Sequence, residues 1–324
     1  MLHVDRNLID HFKTLTADDI KNDPSWADAP IVVTGNKARH EINLKQAQKY
    51  ALRHGVPVLM WRKELSGDLA TQLPEDTIEQ LYASNPQLTG IFVQGAPWNL
   101  TTTNINPEKG LANGTPGFMH TICLGSDTQP DIYQEQIDRA LPGQIVVIPI
   151  PYAVNFKMVL PAMDTTTLPN WPKSETLIPG QYDDTGNLIP GTKDIVIPIF
   201  IARGGYPIKY GKQSIYYQEH SVDLAFAITF HKIQGRTVGK IILDLNLTPG
   251  SKNGIPTLDL FGFYVGLSRV SNSKNMRILP LQPFSNFQHL LNFHRPEELS
   301  LWLQGFNVIT GKWSDPRPDP EVGS

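Results

Sequence analysis

The sequence predicts an α/β fold that contains a parallel sheet and is interrupted by a smaller all-β unit. Three observations support this fold class. The apolar run at 225–229 is short and lacks a helical period, as buried parallel strands do, and further apolar strands are predicted at 30–34 and 241–245. The stretch 37–53 has apolar residues on one helical side. From residue 88 onward, strand-like segments and turn signals replace the helical pattern.

The first 29 residues are predicted to be a helical lead-in followed by a linker. Apolar residues recur at roughly helical spacing in 5–22, and Thr16 and Asp18 are candidate caps of a second short helix. The linker is predicted at 24–30, which is bounded by prolines.

A β-α-β unit is predicted for residues 30–61. The strand 30–34 leads into the helix 37–53, which ends at Gly55 and Pro57, and a second strand covers 56–61. Because right-handed crossovers join neighbouring parallel strands, we expect these two strands to pair with each other.

The all-β unit is predicted for residues 88–222. Asn113-Gly114 is a strong turn signal between strands, and further strands are predicted at 145–150, 157–160 and 194–202. Prolines forbid a helix in the intervening stretch 161–193, which is predicted to be an extended hairpin or a partly ordered loop. After residue 223 the α/β pattern returns, with a helical pair at 284–303 split by Pro296 and a frayed tail at 313–324.

Composition limits the classes of function. The chain has 324 residues, one cysteine and a formal charge of -3. An internal disulfide and a cysteine-based zinc site are therefore excluded, and a nuclear or otherwise intracellular location is expected. The sequence shows no signal peptide and no apolar run of the roughly 20 residues needed to span a bilayer, so no membrane partner is expected.

Positive charge is concentrated in one part of the chain. Residues 203–277 contain ten Lys and Arg residues against four Asp and Glu residues. An excess of this size suits a groove that neutralises several phosphates, although a solvated face without a partner is the alternative.

The candidate chemistry lies in two polar clusters within 224–270. The first contains Thr229, His231, Lys232, Gln234 and Gly235 after an apolar strand. The second contains Ser268 and Arg269 after Tyr264–Leu267, which is predicted to be a strand or the start of a buried helix. Ligands of α/β sheets gather at the carboxyl ends of strands, and a guanidinium suits a phosphate. Taken singly, each is more often structural, with Arg269 in an ion pair and His231 hydrogen-bonded within an interface.

Together, the two clusters resemble motifs of known enzymes. Thr229-x-His231-Lys232-x-Gln234-Gly235 followed by Tyr264-Val265-x-Leu267-Ser268-Arg269-Val270 is similar to the last two helicase motifs of the PIF-type and RecD-like superfamily 1 DNA helicases, which move 5′ to 3′. The resemblance covers roughly residues 30–280. It implies a RecA-like sheet with helices on both faces at 30–87 and 223–312, and an inserted src-homology-3-type barrel at 88–222.

A third segment carries the same resemblance. Thr34-x-Asn36-x6-Asn43 lies at the junction of the predicted strand and helix. It resembles a segment of the same family in which the equivalent Thr and Asn lie near the single-stranded nucleic acid. Capping of the helix by Asn36 explains the same residue without any nucleic acid.

Two parts that such a helicase needs are absent from this sequence. Gly-Lys occurs at 211, 239 and 311 but is never followed by Ser or Thr, and no Asp-Glu pair occurs. A P-loop and the acid that holds Mg²⁺ are therefore missing. We expect the first RecA-like domain to be a partner outside this chain. The complete enzyme would use ATP and Mg²⁺, and this chain alone would bind neither of them stably.

The resemblance also implies residue roles. Arg269 would be the arginine finger that reaches the γ-phosphate. Gln234 and Gly235 would sense the nucleotide, and Thr229, His231 and Lys232 would hold the DNA backbone. No metal ligand is assigned. DNA repair and recombination are the processes that the family implies.

The sequence departs from the family at three positions. Ile233 replaces a small polar residue, Gly266 replaces the usual Ala, and Gly35 replaces a polar residue. The first two changes are tolerable in a working helicase but also suit a decaying gene of a Helitron-type transposon. The alternative function is therefore a non-catalytic module that binds single-stranded nucleic acid. A protein-interaction scaffold is a third hypothesis.

Overall fold

The computed structural model describes residues 4, 6–101, 111–158, 196–202, 205–246, 258–280, 287–293, 297–307 and 309–317. The predicted hairpin or loop at 161–193 lies outside these residues. In chain order the α-helices are α1 (Arg6–Asp10), α2 (Ala17–Asn22), α3 (Asn36–His54), α4 (Asp68–Gln72), α5 (Glu75–Ser84), α6 (Pro130–Arg139), α7 (Phe230–Ile233), α8 (Leu260–Leu267), α9 (Gln288–Leu291) and α10 (Glu297–Gly305).

The strands follow the same order. They are β1 (Ile31–Val33), β2 (Val58–Arg62), β3 (Leu65–Ser66), β4 (Thr89–Phe92), β5 (Pro97–Leu100), β6 (Pro116–Cys123), β7 (Ile145–Val147), β8 (Ala153–Met158), β9 (Val196–Phe200), β10 (Tyr206–Tyr210), β11 (Gln213–Tyr217), β12 (Val222–Leu224), β13 (Ala227–Thr229), β14 (Ile241–Leu243), β15 (Met276–Ile278), β16 (Phe306–Asn307) and β17 (Lys312–Trp313).

The chain forms two compact units. The first unit comprises 1–35 and 229–324, and the second comprises 36–228. The sequence predicted boundaries at 29/30, 87/88, 222/223 and 312/313 instead. The predicted boundary at 87/88 separates β2 from β4, although these two strands pair with each other. The domain scheme stays a prediction.

A parallel sheet organises the first unit. Its order is β13-β1-β14-β15, and β14 pairs in parallel with both β1 and β15. Every residue of β1 and β14 is buried, as expected for strands covered on both faces. The predicted α/β fold with a parallel sheet is confirmed.

The N-terminal segment packs against this sheet. Thr14 forms a parallel bridge with Ile278, and the Leu15 N–H donates to the Ile278 carbonyl at 2.9 Å. The predicted second short helix is α2, and Thr16 caps it by accepting from the Asp19 N–H. The predicted linker at 24–30 is wrong, because 24–28 forms a 3-10 helix in which Trp26 is 4% exposed.

Ionic contacts hold this segment in place. The Arg277 guanidinium lies 4.7 Å and the Lys240 ammonium 5.2 Å from the centre of the Trp26 ring. Arg277 also bonds Asp19, and Lys240 pairs with Asp23. The indole therefore lies beside two cations that are each neutralised by an aspartate of the same segment.

The second unit contains a five-stranded sheet of order β12-β5-β6-β8-β9, in which each neighbouring pair is antiparallel. Its two edges meet where Ile201, just after β9, bridges His220, just before β12. The predicted turn is confirmed: Gly114 has a φ of +90° and its N–H donates to the Leu100 carbonyl at 2.8 Å. The src-homology-3-type barrel stays a prediction.

The predicted pairing of the strands around α3 is wrong. β1 and β2 belong to different sheets, and β2 pairs in parallel with β7 and antiparallel with β4. The reason is that α3 buries Ala47 and Ala51 in the hydrophobic core that β2 also lines. The strand after the helix therefore joins that core, while β1 takes β14 as its parallel partner.

The contact between Asp19 and Arg277 gives a test of how firmly the N-terminal segment is attached. The hydrogen bonds from Arg277 and then Thr16 lower the pKa of Asp19 from 3.8 to about 2. Because the folded-state pKa is the lower one, the stabilisation is present above about pH 4 and is lost as the pH falls towards 2. We expect Asp19→Asn to lower the free energy of unfolding by about 1 kcal/mol at neutral pH.

Urea denaturation at several pH values measures this difference. The gap between wild type and Asp19→Asn should close as the solution is acidified, and Asp10→Asn, an exposed residue of the same segment, should show no such gap. A gap that is constant with pH would mean that the ion pair contributes nothing.

Candidate functional site

The first motif turns from a buried strand into a short exposed loop. β13 ends at Thr229, α7 covers the next four residues, and Gly235 follows with a φ of +80°. Phe230 and Ile233 are buried, whereas His231 and Gln234 are exposed. Residues three apart lie on one side of a helical turn, so the apolar pair anchors the turn and the polar pair faces solvent.

This geometry explains one departure from the family pattern. Ile233 is 1% exposed, so the position needs an apolar side chain in this protein. Thr229 is also largely buried, and Lys232 is half-buried. At Gly235 the backbone conformation requires glycine, and nothing lies within 4 Å of where a Cβ would be. The loop therefore leaves open space at this backbone.

The second motif is a helix, which settles the alternative that the sequence left open. Asp259 caps α8 by accepting from the Gly262 N–H at 2.7 Å. Phe263 and Gly266 are buried, while Phe261 and Tyr264 are exposed. Ser268 and Arg269 follow at the carboxyl end of the helix.

The packing of the two motifs explains the glycine at 266. A Cβ at this position would lie 2.6 Å from Cε1 of Phe230 and 3.2 Å from Cδ2 of Leu243. The aromatic ring of the first motif thus occupies the volume that an alanine methyl group would need. Gly266 is a steric partner of Phe230 in this chain.

Arg269 joins the two motifs by hydrogen bonds. Its Nε donates to the Val265 carbonyl at 2.8 Å, Nη1 to the Arg236 carbonyl at 3.2 Å and Nη2 to Ser268 Oγ at 2.7 Å. In return, the Val238 N–H donates to the Arg269 carbonyl at 2.9 Å. All three acceptors of the guanidinium are neutral. The first motif's loop is therefore fixed to the residue predicted to be the finger.

Nearby groups keep this region positive. Arg236 lies in the same loop, and burial lowers the pKa of its guanidinium, which nevertheless stays charged at neutral pH. Among the described residues, no group of three His, Cys, Asp or Glu side chains could hold a metal ion. The guanidinium of Arg236 thus adds a second cation that suits a phosphate to the loop that Arg269 contacts.

The third predicted segment is divided between the units. Thr34 follows β1 in the first unit, whereas Asn36 is the first residue of α3 in the second. Their DNA contact stays a prediction. The structure unites Thr229, His231, Lys232, Gln234, Gly235 and Arg269 in the first unit.

Sequence reasoning missed a buried polar cluster in the second unit. Arg39 pairs with Asp223, and Lys63 pairs with Glu219. His220 Nε2 donates to the Pro151 carbonyl at 3.0 Å, and burial lowers the pKa of His220 to about 4. The two ion pairs join residues more than 100 positions apart, and His220 lies 69 positions from Pro151, so no local pattern could have revealed these contacts.

A cavity of about 100 Å³ lies beside this cluster. Its lining includes Trp61, Trp98, Lys63, His220 and Asp223.

In the part of the chain that the structure describes, no helix is both long enough and apolar enough to cross a bilayer.

In the comparison with known proteins, the matches are to solved structures. No protein-family model and no curated protein matches the chain. The Pif1 helicase from Candida albicans is 16% identical with a TM-score of 0.41, over 93% of this chain and 58% of that one. Bacteroides Pif1 bound to ssDNA is 15% identical with a TM-score of 0.42, over 90% of this chain and 48% of that one.

A third solved structure is Bacteroides Pif1 in complex with ADP-AlF3 and ssDNA. It is 15% identical with a TM-score of 0.39, over 90% of this chain and 50% of that one. The chain is similar to Pif1 helicases. It spans about half the length of these proteins. At this level of similarity, the roles of individual residues depend on the geometry of this chain alone.

The contact between Phe230 and Gly266 gives a stability test of the motif packing. Because a methyl group at 266 would overlap the ring, we expect Gly266→Ala to lower the free energy of unfolding by about 1 to 3 kcal/mol. Adding Phe230→Leu should recover part of this loss, since the smaller side chain vacates the volume. Urea denaturation of both single variants and the double variant measures the coupling. Strictly additive losses would show that the two residues do not compete for space.

Proposed function

We propose that this chain is the C-terminal part of an ATP-dependent 5′-to-3′ DNA helicase. It supplies the arginine finger and contacts to single-stranded DNA, and a first RecA-like domain with a P-loop is its partner. The proposal rests on two hydrogen bonds. Arg269 Nη1 donates to the Arg236 carbonyl, and the Val238 N–H donates to the Arg269 carbonyl. They link the candidate phosphate-binding residue to the loop that follows the candidate DNA-binding residues.

Arg269 has the chemistry of a finger. Phosphoryl transfer spreads negative charge over the γ-phosphate oxygens, and a guanidinium aimed at them lowers the barrier. In this chain the guanidinium bonds only neutral oxygens among the described residues, so a phosphate would offer it a stronger, charge-assisted partner. The complete enzyme's ATP and Mg²⁺ provide the transferable phosphoryl group and its charge neutralisation, and the Mg²⁺ ligands belong to the partner domain.

The exposed loop suits the sensing and binding roles. Gln234 and Gly235 lie at the open turn, where a nucleotide can approach the backbone. His231 and Lys232 precede them and supply donors for the oxygens of a DNA backbone. Thr229 is largely buried and directly precedes the same turn, and Thr229, Thr34 and Asn36 are the further DNA contacts of the proposal.

An exposed aromatic pair supports a partner domain on the same helix. Phe261 is 49% and Tyr264 is 57% exposed on α8, three residues apart. Large exposed apolar side chains next to one another are typical of interfaces. Since Arg269 follows the same helix, a domain that covers this pair would bring its nucleotide close to the guanidinium.

The alternative, a non-catalytic module that binds single strands, is favoured by one feature of the second unit. Phe118 is 41% exposed and lies directly opposite Lys157 across β6 and β8. The exposed rings of Tyr152 and Phe200 form a pair whose centres are 5.3 Å apart. Aromatic rings beside cations are the elements on which bases stack without sequence preference.

ATP turnover distinguishes the two functions. We expect no turnover by the isolated chain, and turnover after the chain is combined with a P-loop domain from a PIF-type helicase. In the combined enzyme Arg269→Ala should reduce kcat by about a thousandfold or more, because the finger stabilises the transition state. Arg269→Lys tests the need for the guanidinium rather than the charge alone.

A phosphate-release assay measures both effects. Turnover by the isolated chain that disappears with Arg269→Ala would contradict the proposed division of labour between the two domains. Turnover in the combined enzyme that Arg269→Ala leaves unchanged would remove the finger assignment.

Binding of a single-stranded oligonucleotide tests the first motif. We expect the double variant His231→Ala/Lys232→Ala to weaken binding about tenfold and to reduce the salt slope by about one, because phosphate contacts are lost. The matched control is His11→Ala/Lys13→Ala, which removes the same residue types from exposed positions in the N-terminal segment. Fluorescence anisotropy at several salt concentrations gives both quantities. Equal binding by both double variants would contradict the assignment of His231 and Lys232.

A further inference from the structure

Asn43 is the residue of the third predicted motif that the proposed function leaves without a role. It lies on α3 and is 2% exposed, so it does not offer its side chain to a ligand in solution. A buried carboxamide must have its hydrogen bonds satisfied within the protein. Its partners therefore reveal its role.

The side-chain hydrogen bonds of Asn43 go to one backbone segment. Asn43 Nδ2 donates to the Leu224 carbonyl at 3.0 Å and to the Ala227 carbonyl at 3.3 Å. Oδ1 accepts from the Ala227 N–H at 2.7 Å. The Asn43 side chain thus bonds both the N–H and the carbonyl of Ala227, the first residue of β13, as the backbone of a neighbouring strand would.

Other residues on the same side of α3 hold the same segment. Arg39, one turn before Asn43, pairs with Asp223, and the Tyr50 ring lies 5.5 Å from the ring of Phe226. Residues 39, 43 and 50 share one face of a helix. The segment 223–227 is therefore attached to α3 at successive positions just before the first motif begins.

We propose that Asn43 is a positioning residue, whose carboxamide holds the backbone at 224–227 so that Thr229, His231 and Lys232 follow β13 in the geometry that binds single-stranded DNA. This inference rests on the proposed function. It requires a group that donates and accepts at once, since the segment presents two carbonyls and one N–H.

Asn43→Asp is the sharpest test, because it keeps the shape and removes the donors. An ionised carboxylate still accepts from the Ala227 N–H but repels the two carbonyl oxygens. A protonated carboxyl can donate again, and burial favours the protonated form, whereas Arg39, one turn away, and Lys63, which lines the same cavity with His220 and Asp223, favour the carboxylate. The defect should therefore shrink as the pH is lowered, relative to wild type at the same pH. Asn43→Ser, which keeps a smaller donor and acceptor, should give an intermediate defect.

The matched control is Asn155→Asp. Asn155 is equally buried in the second unit, but its amide donates to Thr121 Oγ1 at 2.7 Å and not to the segment before the motif. Full-length variants are compared by hydrogen exchange of the peptide 225–233 and by anisotropy with labelled oligothymidine. We expect Asn43→Asp to speed exchange and weaken binding, each about tenfold, and Asn155→Asp to do neither.

The outcomes separate the inference from the proposed function. Faster exchange and weaker binding by Asn43→Asp and not by Asn155→Asp, with recovery at lower pH, support positioning. Equal effects of both variants, or faster exchange with unchanged binding, overturn the inference and leave the proposed function in place. A wild-type chain that binds no oligothymidine overturns the DNA-binding function itself and the inference with it.

Discussion

The hydrogen bonds around Arg269 are the constraint on which the candidate site depends. The guanidinium bonds the Arg236 carbonyl, and the Arg269 carbonyl accepts from the Val238 N–H. Two motifs that are separated by about thirty residues of sequence thereby become one surface. A ligand that withdraws the guanidinium must break a bond to the loop of the first motif. Any change at Arg269 is therefore also a change at that loop.

Beneath this surface the two motifs are fitted to each other by volume. Phe230 and Ile233 anchor the first motif in the core, and the Phe230 ring fills the space above Gly266. Two of the departures from the family pattern, Ile233 and Gly266, are thus accounted for by packing. Both residues contribute to a close-packed core, so they do not by themselves indicate a decaying site.

The segments on either side of the motifs are more firmly held than their composition indicated. Trp26 and its neighbouring aspartates attach the N-terminal segment to Lys240 and Arg277 in the first unit. In the second unit, Asn43 and Arg39 attach the segment that leads into β13 to α3. In each unit, polar side chains form ion pairs and hydrogen bonds next to buried apolar residues. These contacts can fix direction because hydrogen bonds and ion pairs depend on geometry, whereas burial does not.

The sequence by itself determined the buried strands β1 and β14, the helix α3, the cap at Thr16 and the turn at Gly114, because each depends on neighbours within a few residues. The motif spacing likewise selected the residues of the candidate site. Only the tertiary structure decided that β2 pairs with β7 and not with β1, that Trp26 is buried, and that Asn43 bonds residues 224 and 227. Those choices compare the packing of segments far apart in the chain, and a local pattern carries no information about which distant partner offers the better contact.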